Sequence, residues 1–445
     1  MRRLASTLGL VLVLAGLGGY IYFIDNRTPA VDPDAKAKAF DVNAGDIEEI
    51  EIAVTGGDTS RLKREGNGWV LVDPVRATAD GSEISNMAST LAALDVQRVV
   101  DETPVSLGQF GLDTPHLQIS FRAKGQQAFS RIQIGDKTPT GGDVYARRPD
   151  EPKVFLVSSF LEETFRRNAF DLRDKTLIRF DREKVRGVEL TSGPTTMGLT
   201  RTGTNWSLVK PAPMRADYGA VEGLITSLSA TLMQKFVADD ATPAELAQYG
   251  LTTPSAVAAV VLEDGSRVTL TLGRTENAET YARVSGSPAV VMVAPTIVND
   301  LKKPVADYRR RDLFDMRAFS ATSVALTRGT QRVVLTRETG TDGMSTWKNG
   351  AGTVLGRDAV EGLITKLANL RVQDFAAKAD AALKMPTLTV SAHFGENKGE
   401  DRTEAVTLAK AGTSLVASRP DEPGSLAVGP AAPLDEILKD LDALK

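Results

Sequence analysis

Hydrophobic and polar residues alternate along most of this chain, and the alternation gives way three times to a helical pattern. Strand-like stretches at 47–54, 185–190 and 323–326 are each followed by a charged strand (60–64, 198–201, 331–337). A third strand in each series carries a tryptophan. Apolar residues then recur at helical spacing: Ile84, Met87, Leu91 and Leu94, then Val221, Leu224, Ile225 and Leu228, then Val360, Leu363, Ile364 and Leu367. A short strand follows each helix (96–100, 233–237, 372–376), then four more strands. An amphipathic helix closes each series at 160–167, 295–303 and 433–444. The order predicts an α+β class fold of three tandem, meander-rich modules of about 140 residues, the size of one small domain each. Their expected bounds are 40–176, 177–317 and 318–445, the last being the most divergent.

Fixed landmarks support the repeat. Trp69, Trp206 and Trp347 lie 137 and 141 residues apart, and Asp80, Asp217 and Asp358 each follow their tryptophan by eleven positions. The tryptophans read as core anchors and the aspartates as helix N-caps. Glu83 and Glu361 stand where a capping box would place them, while Ala220 leaves the second copy with the cap alone. Phe110-Gly111-Leu112-Asp113-Thr114-Pro115 recurs as Tyr249-Gly250-Leu251-Thr252-Thr253-Pro254. Gly111 and Gly250 are expected to end a short helix in the left-handed conformation, and Pro115 and Pro254 to block its continuation. The third copy keeps Pro386 but not the glycine, and has Val416 where the others have tyrosine. Gly135 and Gly273 read as the ends of equivalent strands. Arg148-Pro149-Asp150-Glu151-Pro152 returns as Arg419-Pro420-Asp421-Glu422-Pro423.

The N-terminus has a different pattern. Arg2 and Arg3 precede 21 uncharged residues, 4–24. In a helix these span about 31 Å, the thickness of a hydrocarbon core. Tyr20, Tyr22 and Phe23 cluster at the far end, as interfacial aromatics do. A cleaved signal peptide is the alternative, but its apolar run is shorter, and the nearest small-x-small site, Ala35-Lys36-Ala37, lies beyond four charges. The expectation is an uncleaved transmembrane anchor at 1–24 and a flexible, polar tether at 25–39. By the positive-inside rule the N-terminus is cytoplasmic and the bulk of the chain lies across the membrane.

These features, together with Phe170-Asp171-Leu172-Arg173-Asp174-Lys175 leading to Phe180, resemble the domain-of-unknown-function 4340 family of bacterial membrane-anchored proteins. The resemblance implies a single-pass inner-membrane protein with its modules in the periplasm. It also implies an accessory role beside the permease and ATPase subunits of an ABC-type transport system similar to the gliding-auxiliary transporter. It carries over no catalytic residue.

Composition narrows the chemistry. The 445 residues carry a net charge of −4, which gives no case for nucleic acid. The chain has no cysteine, so no disulfides, thiol nucleophile or cysteine zinc site. Its two histidines, His116 and His393, stand far apart in sequence, and no metal-binding, nucleophile-elbow or phosphate-loop motif occurs. No catalytic, metal or cofactor-binding residue is therefore assigned. Carboxylate pairs (Asp239-Asp240, Glu162-Glu163, Glu400-Asp401) leave a hydrolase as a lesser alternative. Sugar stacking on the tryptophans, in a module that binds an envelope glycan, is another. Arg166-Arg167 and Arg309-Arg310-Arg311 fall at module junctions, where they serve either an internal ion-pair network or a docking surface for a partner.

Overall fold

The structure, a computed structural model, describes residues 36–57, 59–340, 344–395 and 402–444. The anchor expected at 1–24 and the tether as far as residue 35 lie outside the described residues. Among the described residues, no helix is long and apolar enough to cross a membrane. The chain divides at Lys175 into two compact units.

Unit one is a single module. Its strands are β1 (Ile47–Val54), β2 (Thr59–Glu65), β3 (Gly68–Asp73), β4 (Ala77–Thr78), β5 (Arg98–Asp101), β6 (Leu117–Ala123), β7 (Ser130–Lys137), β8 (Asp143–Arg147) and β9 (Val154–Ser158). Its helices are α1 (Gly81–Ala92) and α2 (Phe160–Phe165). All nine strands form one antiparallel sheet in the order β4-β3-β2-β1-β6-β7-β8-β9-β5. Two four-stranded meanders therefore meet at β1 and β6. Helix α1 carries the chain from β4 at one edge to β5 at the other.

The side-chain period of two sorts the faces of the sheet. Ile50 and Ile52 of β1 join Phe121, Ile132 and the Ile84, Met87 and Leu91 stripe of α1 in one core. Each such fully buried side chain stabilises the module by about 1.5–3 kcal/mol. On the opposite face, Glu49 and Glu51 meet Arg122 at 2.6 Å and Arg61 at 3.0 Å across the strands. The sheet thus has a helix-covered apolar face and a charged one.

Unit two holds two further nine-stranded antiparallel sheets with the same strand order. Their long helices are Tyr218–Ser229 and Arg357–Ala368, and the strands equivalent to β5 are Met233–Ala238 and Asp374–Ala376. The chain is therefore mostly β, with three tandem modules. The expectation of three meander-rich modules agrees with this, but the α+β class overstated the helices. It also missed the crossing to the far edge, because that strand pairs with a partner more than 50 residues away.

Two expected boundaries shift. Residues 36–39 are not tether: Lys38 bridges Asp95, and Ala39 N donates to Leu94 O at 2.7 Å. The third module begins before residue 318, since Leu313, Phe314 and Met316 are fully buried in its core. The incoming segment of each module is short and polar on one side, so its local pattern resembles a linker.

Candidate functional site

The densest arrangement of charge among the described residues lies inside unit two, where the second module passes to the third. Tyr308 closes the core of the second module, and its hydroxyl donates to Asp300 O at 3.1 Å. Burial first, and then the nearby Asp300 carboxylate, push its pKa up to about 12. The next residues are stitched to both modules by backbone. Arg309 bridges Ala216, and Arg310 N donates to Arg215 O at 3.0 Å. Beyond them Asp312 bridges Arg371, and Leu313 N donates to Leu370 O at 3.0 Å.

Side chains lock this passage. Glu422, with a side chain only 1% exposed, takes Arg215 Nε on one oxygen and Arg309 Nη2 on the other, both at 2.7 Å. The Arg309 guanidinium also lies 3.8 Å from the ring centre of Phe375. Asp315 accepts from Arg215 at 3.0 Å and pairs with Arg310 at 2.8 Å. Behind them Arg419 grips Asp421 with two parallel bonds of 2.9 Å, reaches Glu404 at 2.8 Å and donates to Leu313 O at 2.8 Å. Glu404 also accepts Asp315 N and Met316 N, each at 2.9 Å. Burial opposes the charge on Arg419, but its bonds to Asp421 and Glu404 outweigh that and hold its pKa above the ordinary value. Burial likewise opposes charge on Asp421, and the Arg419 guanidinium overcomes it, so this carboxyl stays below the usual range.

A polar cleft of about 480 Å³ opens beside the network, with Asp217, Tyr218, Arg310, Asp312, Asp315 and Arg402 on its walls. Asp312 and Asp315 are the carboxylates nearest to a catalytic pair. Asp312 sits among Arg310, Arg317 and Arg371, and Asp315 between Arg215 and Arg310. That is the setting of structural anions rather than of a proton donor beside a base. Among the described residues no group of three or more His, Asp or Glu side chains is placed to hold a metal ion. The arrangement is suited to fixing one module on the next.

The residues singled out in the sequence are dispersed among the modules. Trp69, Trp206 and Trp347 are 5%, 3% and 0% exposed, so none of the three is a stacking platform for a sugar. Asp80 caps α1 through Ser82 N and Glu83 N, and Asp217 caps its helix through Ala220 N. Glu83 completes no capping box and pairs instead with Arg167 at 3.0 Å. Asp358 is not a cap. The third helix starts after Gly356, nine residues beyond Trp347, because the hairpin before it is two residues shorter than its counterparts. Asp358 lies within the first turn, and Glu361 pairs with Arg357 at 2.8 Å.

Gly111 and Gly250 adopt φ of 67° and 71° at the turns before Pro115 and Pro254. Gly135 and Gly273 do not end their strands. They sit within them, where a Cβ would lie 2.1 Å from Phe110 O and Tyr249 O, so their role is to let the turn rest on the strand. In the third module Ala409 takes that strand position, and its turn, ending at Pro386, passes without a left-handed glycine.

The two arginine clusters differ, since Arg166 and Arg167 are exposed and Arg309 is not. Arg166 pairs with Glu162 at 3.3 Å, Arg311 donates to Gln373 O at 2.9 Å, and Arg309 is buried. Arg309 and Arg311 are thus engaged at the junction, and Arg310 both pairs with Asp315 and lines the cleft. Sequence reasoning missed Arg215, Phe375, Glu404, Arg419 and Glu422. The repeated Arg-Pro-Asp-Glu-Pro string was the available signal for the last two.

The fold and junction define a class: a tandem-module β protein whose second and third sheets are locked together by buried ion pairs. The chain belongs to the family described as "Domain of unknown function (DUF4340)", whose model matches residues 69–205 and 206–386. Each match opens on a tryptophan, Trp69 and Trp206. No curated protein matches the chain. Among solved structures, the DNA polymerase III subunit beta from Pseudomonas aeruginosa aligns at 7% identity and a TM-score of 0.16, over 88% of this chain and 93% of that one. The DNA polymerase sliding clamp of the same organism, crystallised with ligand, aligns at 7% identity and a TM-score of 0.17, over 87% and 92%. Scores this low carry no argument about fold or function.

Proposed function

We propose that the protein is a non-enzymatic scaffold, anchored in a bacterial inner membrane by residues 1–24, whose periplasmic modules serve an ABC-type transport complex. The observation that carries this reading is the junction within unit two. Buried ion pairs of the Arg309–Glu422 and Arg419–Glu404 kind cost desolvation, and what they supply best is a fixed geometry. A protein whose work is to hold partners at a set distance needs that property. The apolar N-terminal run motivates the membrane part of the proposal, and the transport part extends the resemblance noted in the sequence. The buried tryptophans and the arginine-held carboxylates of the cleft count against the glycan-binding and hydrolase readings.

The experiment is affinity purification of the tagged full chain from membranes in mild detergent. Recovery of a permease and an ATPase subunit in stoichiometric amounts is the expected result. Intact, membrane-extracted protein that repeatedly comes through with neither would overturn the proposal.

A further inference from the structure

Module one repeats part of the apparatus by which module three holds module two, and among the described residues its acidic side chain, Glu151, meets no arginine beyond Arg148 of its own turn. Arg148 Nη1 donates to Ala39 O as Arg419 Nη1 donates to Leu313 O. Ala39 N and Leu313 N make equivalent bonds to Leu94 O and Leu370 O. In this register Glu151 corresponds to Glu422, and Val99, paired with Phe155, corresponds to Phe375, paired with Leu426. The surroundings differ. The Glu422 side chain is 1% exposed between Arg215 and Arg309, whereas the Glu151 side chain is 30% exposed and, among the described residues, pairs with Arg148 and Lys153. Phe375 is covered by Arg309, whereas Val99 and Val100 are 38% and 37% exposed on β5, an edge strand of the sheet.

We propose that the face formed by β5 and the Arg148–Lys153 turn is a docking site for a partner protein that presents arginine to Glu151 from an extended segment, with its guanidinium over Val99. The occupant's chemistry follows from the covered counterpart, where guanidinium groups satisfy both the carboxylate oxygens and the apolar strand. The chain's own incoming sequence has no arginine at the equivalent position. Four residues before Leu313 stands Arg309, but four before Ala39 stands Ala35, which has no charge to offer. A second copy is a poor occupant as well. Its Arg215 and Arg309 are engaged with Glu422, and the third module has Val354 at the position of Arg215. The proposal deepens the scaffold reading, but its test uses no membrane partner, so the two can fail separately.

The chain has no cysteine, so Val100→Cys gives a single site for an environment-sensitive fluorophore. The labelled full chain is titrated with a capped synthetic peptide of residues 304–311, Pro-Val-Ala-Asp-Tyr-Arg-Arg-Arg. A saturable change is expected, weakened about tenfold or more by Glu151→Gln, which keeps the side-chain size, and by Glu151→Lys. The peptide with glutamines for its arginines should give none, and the lysine version should bind more weakly than arginine. No saturable response up to millimolar peptide overturns the proposal, as do coincident titrations of the labelled Val100→Cys chain with and without Glu151→Gln. Concentration-dependent self-association of the labelled chain without peptide, abolished by Glu151→Lys, would assign the face to a second copy instead and equally overturn it.

Discussion

Glu422→Ala should destabilise unit two more than any other single carboxylate change. The side chain is almost wholly buried, and each oxygen holds an arginine at 2.7 Å. With charge centres about 4 Å apart, each pair is worth about 4 kcal/mol in gross attraction at an effective dielectric constant of ~20. Desolvation offsets much of that in the intact pair. Removing only the anion leaves Arg309 buried against Phe375 with its charge uncompensated, at a cost of about 3–5 kcal/mol. For a unit of this size that corresponds to a fall in Tm of about 10 °C. Differential scanning calorimetry of the full chain measures it, with the transition of unit one as an internal reference that should not move. Adding Arg309→Met should recover part of the loss, because an apolar side chain can pack on Phe375 without a charge to satisfy. The coupling between the two changes should be about 2 kcal/mol or more. A loss below about 1 kcal/mol for Glu422→Ala, or strict additivity in the double variant, would show that the junction is not held by this pair.

Four further outcomes follow from the structure. Asp80→Ala should cost about 1 kcal/mol as a lost N-cap, whereas Asp358→Ala should fall within about 0.5 kcal/mol, and chemical unfolding of the two variants separates a true cap from a first-turn aspartate. Gly273→Ala drives a Cβ to 2.1 Å from Tyr249 O and should cost about 3 kcal/mol by the same measurement, while Ala409→Gly at the equivalent site should cost only about 1 kcal/mol; equal effects would refute the close-approach explanation. Because Asp421 is held below its ordinary value of 3.8, its contribution is complete above that pH and is lost as pH falls through the lower folded-state value, so Asp421→Asn should flatten the acid limb of stability. Tyr308, raised to about 12, has the opposite sign: its contribution is complete below pH 10 and is lost as pH rises from 10 towards 12, a limb that Tyr308→Phe should remove.

The sequence announces features whose cause is local. Alternation marks the strands because a pleated backbone sends neighbouring side chains to opposite faces. The α1 stripe of Ile84, Met87 and Leu91 marks a helix with one buried side. Gly111 and Gly250 announce a left-handed turn because few other residues adopt it readily. Asp358 shows how local reasoning goes wrong. Its spacing from Trp347 equals that of Asp80 from Trp69, but a hairpin shortened by two residues moves the helix start past it.

What the sequence by itself determined is the triplication, carried by tryptophans 137 and 141 residues apart, and the order of strands and helices within each copy, carried by local periodicity. Only the tertiary structure decided where β5 inserts, why Gly135 must lack a side chain, and which arginines are buried. Arg215 and Glu422 are 207 positions apart and meet only because two sheets pack side by side. Charge in a run such as Arg309-Arg310-Arg311 has no assigned role until a fold brings, or fails to bring, a carboxylate to it. The same Arg-Pro-Asp-Glu-Pro string consequently becomes a sealed clamp in one module and an open face in another.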